Sequence, residues 1–138
     1  MQQASIVLAT ANARYVHPAF GLRWLAANLG PLRNHAVIRE FNLNHAPLDI
    51  VEDLLSHSPR IVALAFHIWN VTLLTEVARA LKRIRPNVTL VIGGPEVSYE
   101  YENSPAFEAA DYLIRGEAEN AFAQLAENVL NATPLESK

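Results

Sequence analysis

The sequence predicts an α/β fold in which helices cover both faces of a parallel β-sheet. Short apolar segments typical of strands alternate along the chain with longer segments that carry apolar residues at helical spacing. Most of the strand-like segments are continuously apolar, as expected for strands buried on both faces. The length of 138 residues fits one domain with a single sizeable core.

Five segments rich in β-branched residues or leucine are predicted to form strands. They are Ser5–Ala9, Ala36–Phe41, Ile61–Phe66, Thr89–Ile92 and Tyr112–Ile114. The first, third and fourth are almost entirely apolar, which is typical of strands with helices on both sides. The fifth is shorter and is predicted to be an edge strand or a late strand of the sheet.

Apolar stripes at helical spacing predict four helices. They cover about Pro18–Leu29, a segment that begins at Pro47, Val71–Arg85, and Ala118–Val129. Proline suits the first position of a helix, and Pro86 is predicted to end the third helix, whose stripe runs to Ile84. The connection between Pro95 and Ala110 is the longest one, and a short helix at Ala106–Ala110 is one interpretation of it.

The alternation of strand and helix predicts a doubly wound, three-layer sheet of the Rossmann-like, flavodoxin-like kind. We expect five parallel strands in the order 2-1-3-4-5, joined by right-handed crossovers. This domain is predicted to span residues 1–131. The polar tail contains Pro134, and residues 132–138 are predicted to begin a linker to a further domain.

The composition excludes several classes of function. A net charge of −3 without a run of lysine or arginine gives no electrostatic basis for binding nucleic acid. The chain has no cysteine, so it holds no disulfide, cysteine-ligated zinc or iron–sulfur cluster of its own. Its first apolar run is too short for a signal peptide or a membrane span, so a cytoplasmic protein without a membrane partner is expected.

In an open parallel sheet, ligands bind beyond the carboxyl ends of the strands, at the point where the strand order reverses. This rule selects four predicted loops, which also collect unusual polar and aromatic residues. The loops are Thr10–His17, His67–Asn70, Gly93–Glu96 and Arg115–Glu117. A purely structural domain rarely gathers so many such residues at one edge, so a ligand site is predicted there.

Several residues of these loops have both a structural and a functional interpretation. Paired glycines after a buried strand allow positive φ and let a ligand approach the backbone, but Gly93-Gly94-Pro95 also suits an ordinary tight turn. Trp69 suits either a flat ligand, with its indole N–H in use, or the protein core. Asn70 is most simply the N-cap of the next helix.

The ionisable residues of these loops have the same two interpretations. His17 and His67 suit either a site or a satisfied, partly buried position. Glu117 suits the positive end of the helix that follows it. Arg115 suits an ion pair with Glu96 or Glu117 that would join two loops.

Common nucleotide and hydrolase motifs are missing from these loops. The first strand is followed neither by GxGxxG nor by GxxxxGK[ST], and the chain has no GxSxG. The end of the first strand also lacks the acidic cluster that holds magnesium in receiver domains.

Taken together, the four loops resemble the N-terminal cobalamin-binding domain of cobalamin-dependent radical SAM proteins. The resemblance covers nearly the whole chain and has its motifs in the right order. It rests on four segments, Leu8–His17, Ile68-Trp69-Asn70, Gly93-Gly94-Pro95-Glu96-Val97-Ser98 and Arg115-Gly116-Glu117.

The resemblance implies that cobalamin lies against the carboxyl edge of the sheet, with its nucleotide tail in a slot beside the glycine pair. The implied cofactor-binding residues are Thr10, Asn12, Ala13, Tyr15, His17, Ala65, Phe66, His67, Trp69, Asn70, Gly93, Gly94, Pro95, Glu96, Arg115, Gly116 and Glu117. It further implies a downstream domain with a four-iron cluster and S-adenosylmethionine, which is missing here. The parent protein would then carry out methyl transfer or related radical chemistry, and this chain alone is not an enzyme.

The chain departs from the better-known cobalamin pattern DxHxxG, SxL, GG. Tyr15 replaces the acid that precedes the histidine, and the glycine comes one position late, at Gly21. Ala65-Phe66-His67 replaces the SxL motif, and only Gly93-Gly94 matches fully. We therefore expect cobalamin without a lower histidine ligand, with His17 at the corrin edge or at the domain interface.

Two other functions compete with this interpretation. One is a stand-alone flavodoxin-like enzyme or flavin carrier, for which Thr10 is the only candidate hydroxyl in the first loop. The other is a structural or interaction domain that has lost cobalamin binding. A carboxyl edge filled by Phe66 and Trp69 would favour the loss of the ligand. Because the edge is open, weak cobalamin binding is expected for the isolated domain.

Overall fold

The computed structural model of the protein describes residues 4–12, 20–67, 69–93, 108–114 and 119–136. Within these residues, strands and helices alternate as the sequence predicts. The elements are β1 (Ile6–Asn12), α1 (Phe20–Ala27), a 3-10 helix (Gly30–His35), β2 (Ala36–Asn42), α2 (Pro47–Leu55), β3 (Ile61–Ala65), α3 (Val71–Ile84), β4 (Thr89–Gly93), β5 (Tyr112–Ile114) and α4 (Glu119–Glu136).

The five strands form one parallel sheet in the order β2-β1-β3-β4-β5, which confirms the predicted topology. β5 is an edge strand that pairs with β4 through three residues. The prediction ended β1 too early, at Ala9. In the structure β1 continues to Asn12, because β2 is equally long and pairs with it as far as Asn42.

Each face of the sheet carries its own apolar core, which gives the predicted three layers. Helices α2 and α3 cover one face and α1 and α4 cover the other. The α2/α3 core contains Val7, Ala9, Val62, Leu64, Phe66, Leu90 and Ile92 from the sheet. The α1/α4 core contains Ile6, Leu8, Ile61, Ala63 and Val91. Successive strand residues face opposite cores, as the two-residue period of a strand requires.

The helices follow their predicted stripes with one exception. Helix α2 begins at Pro47, and α3 ends two residues before Pro86, as predicted. Ile84 was predicted to complete the buried stripe of α3, but it is 50% exposed because it lies in the last turn, beyond the edge of the sheet core. Glu108 and Ala109 are helical, in agreement with the short helix that is one interpretation of the long connection.

Helix α4 runs through Glu136, so its backbone includes residues 132–136, which the sequence predicts as the start of a linker. A proline at position 134 has no N–H for the carbonyl four residues earlier, at Leu130. In its place, Arg60 Nη2 donates to the Leu130 carbonyl at 2.8 Å and lies 3.4 Å from the Val129 carbonyl. A side chain from the start of β3 therefore supports this end of the helix. The existence of a further domain stays a prediction.

None of the helices in the described segments is long and apolar enough to cross a bilayer.

Candidate functional site

Eight of the predicted site residues lie in the part of the chain that the structure describes, at the carboxyl ends of β1, β3 and β4. They are Thr10, Asn12, Ala65, Phe66, His67, Trp69, Asn70 and Gly93. The other nine lie outside the described residues, and their roles stay predictions. They are Ala13, Tyr15, His17, Gly94, Pro95, Glu96, Arg115, Gly116 and Glu117.

The strand order reverses between β1 and β3, so this pair marks the crevice in which a ligand is expected. The ladder between the two strands ends at Ala9 and Leu64. Beyond it, the carbonyl oxygens of Ala11 and Ala65 need donors from outside the ladder. The way in which these two oxygens are satisfied decides whether the crevice is open.

The Asn70 carboxamide lies in this crevice and is fully buried. Its Nδ2 donates to the Ala11 carbonyl at 2.9 Å and lies 3.2 Å from Thr10 Oγ1 and 3.4 Å from the Ala65 carbonyl. Its Oδ1 accepts the His67 backbone N–H at 2.8 Å. The Thr10 hydroxyl donates to the Ala65 carbonyl at 2.8 Å. The crevice between β1 and β3 is therefore filled by the protein's own polar groups.

Asn70 is the N-cap residue of helix α3, as predicted, but its side chain does not form the capping hydrogen bond that is usual for asparagine. Asn70 does precede the first helical residue, and its backbone carbonyl accepts the Leu74 N–H at 2.9 Å. Its side chain makes no capping hydrogen bond, because the carboxamide is turned towards the strand ends. Leaving the buried strand carbonyls without a donor would cost more free energy than leaving the helix end without a side-chain acceptor.

Trp69 and His67 form a stacked pair above this crevice. Their ring centroids are 4.7 Å apart and the ring planes differ by 9°. The Trp69 indole N–H donates to the Ala11 carbonyl at 3.0 Å, so it is engaged by the protein and is not the ligand donor that the sequence suggested. Both residues are partly exposed. Burial lowers the pKa of His67 below its ordinary value of 6.5, so the ring is neutral at pH 7.

We use the term strand-end network for Thr10, Ala11, Ala65, His67, Trp69 and Asn70, which these hydrogen bonds connect.

Phe66 does not fill the carboxyl edge. Its side chain is fully buried in the α2/α3 core with Leu64 and Ile92, which lie on the same face of the sheet. Only its backbone contributes to the edge, where its N–H donates to the Gly93 carbonyl at 2.7 Å. The α1/α4 face of the same edge is therefore free of this phenylalanine.

On the α1/α4 face, side chains become smaller towards the carboxyl edge. Near the amino end of the sheet, Ile6 pairs with Ile61, and in the middle row Leu8, Ala63 and Val91 lie side by side. The last row on this face consists of Thr10, Ala65 and Gly93, of which Ala65 pairs with Gly93. We call these three residues the small-residue row.

Gly93 is needed for close packing rather than for a special backbone angle. It is not among the described residues with positive φ, contrary to one reason for which the sequence singled it out. A Cβ at this position would lie 3.3 Å from the Ile114 carbonyl oxygen of β5, closer than most side chains come to a backbone oxygen. A side chain at this position would therefore require β5 to shift by a few tenths of an ångström, and Gly93 is only partly covered from solvent.

Asn12 lies at the end of β1, where Nδ2 donates to Glu40 Oε1 of β2 at 2.7 Å. Glu40 is not among the site residues predicted from the sequence, because it lies inside a predicted strand. The available signal was a pair of charged residues, Arg39 and Glu40, in a strand whose other predicted residues are apolar. Within the described segments, no cluster of three or more acidic or histidine side chains is placed to bind a metal ion.

Comparison with known proteins identifies the family of this chain. The model of the B12 binding domain matches residues 6–126, which include every described residue of the carboxyl edge. The chain belongs to the B12-binding domain family. The motifs that carried the resemblance are thus part of a match that extends over most of the domain.

A curated relative of this B12-binding domain is the cobalamin-dependent radical SAM methyltransferase TokK of Streptomyces tokunonensis. The two proteins are 35% identical over 80 residues. The matched region is 55% of this chain and 11% of TokK, so the chain spans only a small part of that protein.

Solved structures with the same fold include a cobalamin-binding protein and a receiver domain. A cobalamin-binding protein from Desulfitobacterium hafniense DCB-2 matches with a TM-score of 0.64 and 20% identity, over 93% of this chain and 59% of that one. The BeF3-activated DrrB receiver domain matches with a TM-score of 0.63 and 15% identity, over 94% of this chain and 99% of that one. At these identities the likeness shows the fold alone.

Proposed function

We propose that the chain is the cobalamin-binding module of a radical SAM enzyme. In this proposal it presents the corrin to a downstream domain that holds a four-iron cluster and S-adenosylmethionine, for methyl transfer or related radical chemistry. Bound cobalamin would supply a cobalt centre that carries a methyl group. The observation that carries the proposal is the small-residue row at the carboxyl edge of a chain from the B12-binding domain family.

The contacts of the strand ends favour one position for the cofactor. The crevice between β1 and β3 is occupied by Asn70, so a deep group of the ligand does not enter there. On the α1/α4 face, Ala65 and Gly93 carry little or no side chain, and both are partly exposed. We place the nucleotide tail along the small-residue row, and the corrin above the strand ends and the His67–Trp69 pair.

The polar groups of this edge suit a ligand rimmed by neutral amides. Asn12 offers a neutral amide, and the depressed pKa of His67 keeps its ring uncharged at pH 7. The described residues of the edge include no lysine or arginine. A corrin amide needs a hydrogen-bonding partner rather than a counter-ion, so the chemistry of the edge fits the cofactor.

The absence of a full DxHxxG motif supports a cofactor without a lower histidine ligand. His17 lies outside the described residues, and Tyr15 stands where the pattern has an acid that would orient the histidine. We therefore propose that His17 contacts the corrin edge or the neighbouring domain and does not ligate the cobalt.

Equilibrium dialysis tests the proposal, because it detects weak binding that a desalting column would lose. Hydroxocobalamin should accumulate on the protein side, and Ala65→Leu should reduce this accumulation about tenfold by filling the small-residue row. Cobinamide, which lacks the nucleotide tail, should bind Ala65→Leu as well as it binds the wild type. Ala27→Leu, at an exposed position of α1, is the control for an added leucine.

A lack of hydroxocobalamin accumulation by the wild type would contradict the proposal. Equal loss of cobalamin and cobinamide in Ala65→Leu would contradict the position of the tail. One observation favours the alternative of a structural or interaction domain that has lost the cofactor, namely that the crevice at the switch point is filled. Dialysis against a flavin in parallel would detect the flavodoxin-like alternative.

A further inference from the structure

Asn70 is the residue whose contacts best explain the shape of the carboxyl edge. It comes from the loop after β3, yet its side chain contacts the end of β1, 59 or 60 positions earlier in the sequence. It is completely buried, and its hydrogen-bonding atoms face protein groups. A fully enclosed carboxamide makes no direct contact with a ligand, so any role in binding is indirect.

The indirect role follows from what Asn70 holds in place. Its Oδ1 accepts the His67 backbone N–H, and its Nδ2 donates to the Ala11 carbonyl. The same carbonyl accepts the Trp69 indole N–H. One carboxamide therefore fixes both ends of the segment that carries the stacked rings, relative to the end of β1.

We propose that Asn70 is a positioning residue that fixes the His67–Trp69 pair as a rigid platform for the ring system of the ligand. The residue acts by joining a donor and an acceptor that no apolar side chain of the same volume can satisfy. Loss of this junction would free the segment after β3 to move before a ligand binds. Ligand binding would then include the entropic cost of ordering the platform, which lowers the affinity without removing a contact to the ligand.

Fluorescence of the ligand-free protein tests the positioning role directly. The chain has two tryptophans, so Trp24→Phe leaves Trp69 as the only indole. In this background, Asn70→Leu and Asn70→Asp at neutral pH should shift Trp69 emission to longer wavelength and increase its quenching by acrylamide. Leucine has the same branched shape but cannot bond either partner, whereas aspartate places a carboxylate against the carbonyls of Ala11 and Ala65.

Lowering the pH should partly restore the position of Trp69 in Asn70→Asp. In Asn70→Asp, protonation of the introduced carboxylate regains one donor for these carbonyls, so Trp69 emission should return towards that of the parent as the pH falls. Asn70→Leu should show no such return. Among the described residues, the ionisable groups in contact with this part of the edge include the His67 ring, stacked on Trp69, and Glu40, bonded to Asn12. Both are present in the parent, whose own pH profile is the control.

A destabilising substitution elsewhere separates positioning from stability. Leu81 is fully buried, 11 residues after Asn70 and therefore about 16 Å further along the axis of α3. Leu81→Val should lower the melting temperature yet leave Trp69 emission unchanged. If Asn70→Leu does not fold, Thr10→Val is the second variant, because it removes the hydroxyl that contacts Nδ2 and should raise Trp69 quenching to a smaller extent.

A cobalamin-binding experiment on the same variants rests on the proposed function, whereas the fluorescence experiment does not. Asn70→Leu should weaken hydroxocobalamin binding about tenfold, and cobinamide binding equally, because the platform serves the ring and not the tail. Ala65→Leu should affect cobalamin alone. Failure of the wild type to bind cobalamin would overturn the proposed function only. Unchanged Trp69 emission in both Asn70→Asp and Thr10→Val would overturn the positioning role.

Discussion

Asp111 at the start of β5 is expected to hold this short edge strand in place, and Asp111→Ala should destabilise the protein by about 2 kcal/mol. Its Oδ2 accepts the Leu90 backbone N–H and the Lys82 ammonium, each at 2.7 Å. The backbone bond to a charged acceptor contributes about 1.5 kcal/mol. The ion pair adds at most about 0.5 kcal/mol, because the Asp111 side chain is 38% exposed.

Asp111→Asn separates these two contributions. The amide oxygen still accepts the Leu90 N–H but no longer carries a charge, so the cost should fall to about 1 kcal/mol. Lys82 also donates to the carbonyls of Pro86 and Val88, so it keeps partners in both variants. The ion-pair part of the difference should shrink in high salt.

Urea unfolding followed by circular dichroism measures both costs. For a chain of this length, about 2 kcal/mol corresponds to a decrease of the melting temperature of roughly 8 °C. An Asp111→Ala cost below about 0.5 kcal/mol would refute the reasoning, since random surface substitutions cost that much. Equal costs for the two variants would show that the charge, and not the acceptor, holds the strand.

Two further predictions concern the stacked pair and the last helix. Burial lowers the pKa of His67, so as the pH falls the unfolded chain binds a proton at His67 before the folded protein does. The folded state should therefore keep its full stability above about pH 6.5 and lose part of it below that pH. Trp69→Ala should raise the His67 pKa towards its ordinary value, and an unchanged imidazole titration by NMR would disprove this. Arg60→Met should speed amide exchange at the end of α4 about fivefold by removing the donor to Leu130. The increase in exchange rate should be smaller in a Pro134→Ala background, because alanine restores a backbone N–H for the Leu130 carbonyl. Equal increases in both backgrounds would show that Arg60 does not replace the missing proline donor.

The carboxyl edge of the sheet contains two regions with different properties. Between β1 and β3 the strand-end network satisfies the buried carbonyls, so that region is closed. Beside β4 the small-residue row leaves the backbone partly exposed. A cofactor with a broad ring and a long tail needs both a fixed surface and a slot, so the division is consistent with the proposed function.

Local sequence determined the fold of this protein. Continuously apolar segments marked the strands, and Pro47 and Pro86 marked the limits of two helices, because burial period and proline geometry act over a few residues. The strand order followed from the alternation of strands and helices, since right-handed crossovers leave few topologies. The motifs at the strand ends were sufficient to indicate the family.

The tertiary structure alone decided what the side chains of the edge do. The side chains of Asn70 and Thr10 bond groups 55 to 60 positions away in the sequence, and such partners depend on strand register. The local rule correctly identified Asn70 as the N-cap residue, but it could not predict where the side chain points, because the carbonyl of Ala11 lies on a strand that is distant in sequence. The period of β3 could have placed Phe66 in the α2/α3 core, but only packing shows which face stays open. Hydrogen bonds between distant segments depend on the geometry that the sheet imposes, and the sequence does not encode that geometry locally.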